Sequence, residues 1–140
     1  TLFRSFPVNK YVAEFIGSPS MNFIEGQLEN SNFEFDVLSF NLDGYSFKEK
    51  INSTSKVWLG VRPENIIINE TDKTMPVNFN VVVEVVEPMG ADTLVWSSLN
   101  GKEIRFIVEG NKTINIGDKL SVGFDPAHIS IFDFDTENRL

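Results

Sequence analysis

Few residues of this chain have the types and spacing that support chemistry. His128 is the one histidine, and there is no cysteine. A thiolate nucleophile, a disulfide and a Cys-ligated zinc are therefore excluded, and a triad or a His-based metal site has a single imidazole to build on. His128 lies just after Pro126 in a segment that reads as a turn, so a structural role is expected for it. Asp133, Asp135 and Glu137 form an acidic cluster, and carboxylates suit hard cations. The cluster lacks the glycine and the spacing of a calcium loop and reads as a solvated tail. Gly101-Lys102 and Gly117-Asp118-Lys119 lack the upstream glycine and the Ser/Thr after lysine that a phosphate cradle needs. No catalytic, cofactor-binding or metal-binding residue is expected.

The remaining candidates are residues of recognition rather than reaction. Arg62 and Glu64 flank Pro63 and are placed for a local ion pair or for contact with a partner chain. Trp58 and Trp96 sit within strand-like runs, where aromatics serve a core or, when exposed, a partner surface. Met89 lies in the segment Val85–Asp92 between two such runs. Arg62, Glu64, Trp58 and Met89 are taken as the candidate interface or regulatory residues. The formal net charge of -8 disfavours nucleic acid and anionic lipid, because the long-range field repels both. No apolar run approaches the roughly 18 to 20 residues of a membrane-spanning helix, so any association with a membrane is expected to run through a partner.

The elements that must position these residues are nearly all strands. At 140 residues the chain fits one domain, or two small sub-barrels sharing a core. Tyr11, Val12, Phe15 and Ile16 recur at helical spacing after Asn9, and Gly17 and Pro19 end the pattern, so a short helical junction is expected over residues 1–20. From residue 21 onward, nine runs rich in Val, Ile and Phe read as strands: 22–28, 33–42, 57–61, 66–68, 77–86, 93–99, 103–108, 120–124 and 129–132. Hairpin turns are expected at Asn30-Ser31-Asn32, Asp43-Gly44 and Asn100-Gly101. Strands joined by short turns without helices predict an antiparallel sandwich or barrel. Lys56–Ile68 also lines up with Lys119–Ile131: each copy reads strand, glycine, one residue, a polar residue, proline, then a fresh apolar run. This predicts two related β halves, 21–70 and 76–134, each with a strand that bends sharply at the proline.

Four segments carry a resemblance. Pro7-Val-Asn-Lys-Tyr-Val-Ala-Glu-Phe-Ile-Gly-Ser-Pro-Ser-Met-Asn22, Leu59-Gly-Val-Arg-Pro-Glu64, Val85-Val-Glu-Pro-Met-Gly-Ala-Asp92 and the ending Ile131–Leu140 are similar to the C-terminal domains of maltose- and glycerol-phosphate-type ABC importer ATPases. The junction ending in Phe-Ile-Gly-Ser-Pro before Met-Asn is the most specific of them. The resemblance implies an all-β, OB-fold-like (TOBE-type) accessory domain over 21–140, entered by the helical junction over 1–20, acting in regulation and dimerisation. It implies a parent that binds ATP and Mg in a nucleotide-binding domain outside this chain. The parent would pair as a homodimer, engage integral-membrane permease subunits and a cytoplasmic regulator, and lie at the inner face of the cell membrane. Related domains in molybdate importers bind the oxyanion near Ser-x-Arg-Asn; here the stretch reads Ser18-Pro19-Ser20-Met21-Asn22, without the arginine. The alternatives carried forward are an OB-type module for a small ligand such as an oxyanion, or for single-stranded nucleic acid stacked on strands such as Phe33–Phe40.

Overall fold

The computed structural model describes residues 20–36, 38–48, 54–70 and 74–140. The helical junction expected over 1–20 falls, up to residue 19, outside the described residues. The strands are β1 (Asn22–Glu29), β2 (Asn32–Phe35), β3 (Leu38–Asn41), β4 (Ser55–Val61), β5 (Ile67–Ile68), β6 (Val77–Pro88), β7 (Asp92–Leu99), β8 (Lys102–Glu109), β9 (Lys119–Phe124) and β10 (Ser130–Asp133). Short 3-10 turns at Pro63–Asn65 and Pro126–His128 precede β5 and β10. Among the described residues all pairings are antiparallel, in two five-stranded sheets ordered β10-β4-β1-β2-β3 and β5-β9-β6-β7-β8. An all-β, antiparallel architecture is thereby established.

Period-2 alternation explains the strands. On β6, Val77, Phe79, Val81 and Val83 are buried while Asn78, Asn80, Val82 and Glu84 face out. Beyond Val83 a bulge shifts the register with β7. The expected run 33–42 is not one strand. It breaks at Asp36, whose φ of 51° is a left-handed conformation that a short polar side chain tolerates. The result is the β2–β3 hairpin, with Phe33 opposite Phe40 and their rings stacked at 6.1 Å. Asn30 (φ 54°) turns β1 into β2. Asn100 (φ 47°) and Gly101 (φ 81°) are both left-handed, as a two-residue type I′ hairpin requires between β7 and β8. Asp43-Gly44 is a turn, and among the described residues β3 pairs only with β2; Leu42 and Tyr45 on either side of the turn are buried.

The described residues up to Arg62 form one compact unit together with Pro126–Leu140, and Pro63–Asp125 form another. The division expected at 21–70 and 76–134 is corrected accordingly. Each repeated turn carries the chain from one unit into the other: β4 belongs to the first sheet but β5 pairs with β9, and β9 belongs to the second sheet but β10 pairs with β4. The registers match between copies, since Ile67 lies opposite Gly123 as Ser130 lies opposite Gly60. Proline causes the switch. It lacks an N–H for the ladder and keeps its predecessor, Arg62 or Asp125, extended, so the strands end at Val61 and Phe124 and the chain restarts in a new direction.

Candidate functional site

The first unit presents an aromatic surface on the side of its sheet opposite the core. Directly opposed residues of antiparallel strands share a face. Phe23 lies opposite Gly60, Glu25 opposite Trp58 and Gln27 opposite Lys56, while Ile24, Leu28, Val57 and Leu59 are buried on the other side. β10 adds Phe132 opposite Trp58. Phe132 and Met21 are buried, and half-buried Phe23 and Trp58 pack against them. Gly60 makes this close packing feasible. A Cβ there would run into Met21 Sδ and lie 3.1 Å from Phe132 Cε2 and 3.3 Å from Phe23 Cε1.

Beside this cluster the side chains form layers. Phe134 stacks on Trp58 with centroids 5.4 Å apart and planes 20° from parallel. Lys56 Nζ sits 4.0 Å from the Phe134 centroid and 2.6 Å from Glu25 Oε1. Both charged side chains remain nearly half exposed, so the ion pair contributes at most about 1 kcal/mol and the arrangement stays open to a partner. Its chemistry is that of recognition, through half-buried rings and paired charges.

Tyr45 fastens the last residues onto this unit. Its hydroxyl donates to Leu140 O at 2.8 Å and accepts from Ile131 N–H at 3.1 Å. Leu140 N–H donates to Ile131 O at 2.8 Å, and Arg139 bridges to Phe132. The Tyr45 ring meets Phe47 edge-on at 4.6 Å and Arg139 at 5.6 Å. Burial raises the phenol above its ordinary 10.0, against the opposing pull of the Ile131 hydrogen bond and the Arg139 charge. Sequence reasoning passed over Tyr45, because a lone tyrosine after a Gly turn gives no sign that a strand 86 residues away will reach it.

The acidic cluster is used locally. Asp133 Oδ1 accepts from the backbone N–H of Asp135 (3.0 Å) and Thr136 (2.9 Å), tightening the turn after β10. Among the described residues no three His, Asp or Glu side chains gather to hold a metal ion. His128 is exposed at the end of its 3-10 turn. Of the residues singled out from sequence, Trp58 lies in the aromatic layers and Arg62 is half-buried where β4 ends. Glu64 and Met89 belong to the second unit and are exposed. Met89 sits in the β6–β7 turn, where its N–H donates to Asp92 O at 2.8 Å and Gly90 takes a φ of 96°. Asn22, which closes the junction motif, is buried, and its Nδ2 donates to Val61 O at 3.1 Å, tying the start of β1 to the end of β4.

Comparison with known proteins gives two family matches. Residues 17–66 match the MalK OB fold domain and residues 59–132 the TOBE domain, overlapping at the first repeated turn. Among curated relatives, the chain is 31% identical to the xylose/arabinose import ATP-binding protein XacK of Haloferax volcanii, with 96% of this chain and 36% of that protein covered. It is 34% identical to the sn-glycerol-3-phosphate import ATP-binding protein UgpC of Psychromonas ingrahamii, over the same shares. It is 30% identical to the oligosaccharides import ATP-binding protein MsmX of Bacillus subtilis, over 96% of this chain and 38% of that one. The chain thus spans little more than a third of these relatives. Among solved structures, the cytoplasmic molybdate-binding protein ModG superposes with a TM-score of 0.58 at 13% identity, covering 79% of this chain and 94% of its own. At that identity the likeness is one of fold.

Proposed function

The chain belongs to the TOBE domain family, and on that premise we propose that it is the C-terminal accessory portion of the ATP-binding subunit of an ABC importer of sugar or glycerol-phosphate type. The observation that carries this reading is the pattern of coverage. Nearly all of this chain aligns with import ATP-binding proteins, yet it accounts for only 36% to 38% of their length. ATP and Mg would be bound by the remainder of such a protein, since no phosphate cradle occurs among these residues. The work left to this portion is contact: pairing with a second copy, and response to a cytoplasmic regulator, within a complex held at the membrane by permease subunits. The Trp58–Phe134 layers are the surface we assign to that contact.

The test is to read the coding sequence upstream of Thr1 and to assay the protein it encodes. A Gly-x-x-x-x-Gly-Lys-Ser/Thr loop and ATP hydrolysis that survives deletion of residues 21–140 are expected. A parent without that loop would overturn the assignment. The oxyanion alternative finds no support at Met21, which stands where the molybdate-binding pattern has arginine and is buried against Phe132.

A further inference from the structure

The β7–β8 turn carries covalent chemistry that the contact role leaves unused. Asn100 is followed by Gly101, whereas every other asparagine of the chain is followed by a residue with a side chain. The order matters, because the backbone nitrogen after an asparagine can attack the side-chain amide, and a Cβ beside that nitrogen stands in the way. Asn100 and Gly101 are both exposed, and among the described residues a Cβ placed on Gly101 would meet nothing within 4 Å. Water and hydroxide therefore reach the reacting atoms.

The brake is conformational. With Asn100 at a φ of 47° and Gly101 at 81°, the turn is of type I′, the mirror of type I, which gives its first central residue a ψ of about +30°. At that angle the Gly101 nitrogen lies nearly anti to Asn100 Cβ across the Cα–C bond, whereas ring closure needs the two on the same side. The flanking strands hold the angle. Leu99 pairs with Lys102 at the end of a ladder that runs back to Asp92 and Glu109. Leu99 is buried, and the buried Ser97 Oγ donates to Ile104 O at 2.8 Å just inside the turn.

We infer that Asn100-Gly101 is a latent self-modification site, a succinimide-forming asparagine that the β7–β8 hairpin holds in an unreactive conformation and releases when it opens. On opening, the Gly101 nitrogen gives its proton to a solvent base and bonds to Asn100 Cγ; the Cγ–Nδ2 bond breaks, and ammonia leaves with a proton taken from water. Water then opens the ring. Breaking the new N–Cγ bond leaves aspartate, and breaking the original backbone C–N bond leaves isoaspartate. The net change is water in and ammonia out, with nothing oxidised or reduced. Aspartate before glycine suits the same turn. Isoaspartate adds a carbon to the backbone, so the loop no longer matches the Leu99–Lys102 pairing. The site lies within the second unit and stands whether or not the importer assignment holds.

The test compares the folded chain with the same chain in urea, both incubated at mildly alkaline pH. Each asparagine is followed by peptide mass, and isoaspartate is told apart by its resistance to an aspartate-specific protease. In urea, Asn100 is expected to lose its amide before any other asparagine, and Gly101→Ser should slow that loss. In the folded chain the loss is expected to be slower by about tenfold or more, the effect of an opening that costs about 1.4 kcal/mol. Leu99→Ala loosens the strand beside the turn and should bring the folded rate back toward the rate in urea. Equal rates in the folded and the urea-treated chain would overturn the proposal. So would a Leu99→Ala rate no higher than that of the unaltered chain, or another asparagine reacting first in urea.

Discussion

Gly60 and Tyr45 show how single side chains hold the first unit together. Gly60→Ala places a methyl group against Met21 Sδ and the Phe132 ring, and Phe132 is fully buried and cannot retreat. Overpacking of this kind costs about 1 to 3 kcal/mol, so urea denaturation should show a lower midpoint with an unchanged slope. Trp58 fluorescence should change with it, because the same rings pack on Trp58. Tyr45→Phe removes two hydrogen bonds and leaves the Ile131 N–H without its acceptor, a loss of about 1 to 3 kcal/mol. The tyrosine also gives stability a pH dependence. Its folded-state pKa is raised, so the native state holds the proton more tightly than the unfolded chain does. This contribution is complete below the ordinary value of 10.0 and is lost as pH rises through the folded value. Denaturation midpoints followed from pH 8 to 11 should fall at the alkaline end. In Tyr45→Phe that part of the fall should disappear.

At the scale of elements, the two repeated turns organise the chain, and they were legible from their residues. Lys56–Ile68 and Lys119–Ile131 share glycine and proline at matched positions, and both prolines end a strand as their chemistry requires. What the residues did not reveal was the destination of each restarted strand. β5 and β10 are short and apolar, and either sheet edge would accept their backbones; only tertiary packing decides between them. The Phe33–Leu42 run was misread for a related reason, since apolar and polar residues alternate through most of it and the break rests on Asp36 alone. Gly123 holds the same place in its copy as Gly60, but the nearest atom a Cβ there would meet is a backbone carbonyl rather than the end of a flexible side chain. A Cβ there would collide with Val77 O and lie 2.8 Å from Met75 Cβ. Gly123→Ala is therefore expected to disturb the β6–β9 pairing itself. Hydrogen exchange should accelerate along Val77–Val82 and Lys119–Phe124, whereas Gly60→Ala should leave those amides protected. Equal acceleration in both variants would show that the repeat acts only through global stability.

For the whole molecule, the junction motif and the Leu-Gly-Val-Arg-Pro-Glu turn pointed to the family, while composition and strand pattern alone reached only an acidic β domain. The aromatic contact surface was visible in part. Trp58 was singled out, and Lys56 lies two residues along the same strand, but Phe134, just past β10, reaches Trp58 only through the pairing of β10 with β4, which local spacing does not encode. If contact is the work of this portion, nucleotide should ignore it and a partner should not. Calorimetric titration with MgATP is expected to give no binding heat, because no backbone amides converge on a phosphate here; micromolar affinity would sink the assignment of ATP to the remainder of the parent. Sedimentation at rising concentration is expected to show self-association that Trp58→Ala weakens about tenfold or more, the loss typical of an aromatic anchor at an interface. Trp58 is half-buried against Met21 and Phe132, so the variant also loosens the fold, and Lys56→Glu serves as the companion. It reverses a charge at a solvated position beside Glu25 without removing core volume. Weakened association in both variants, with Lys56→Glu as stable as the parent chain, would place the contact on this face. Association unchanged in Lys56→Glu and lost in Trp58→Ala only in step with unfolding would move it elsewhere.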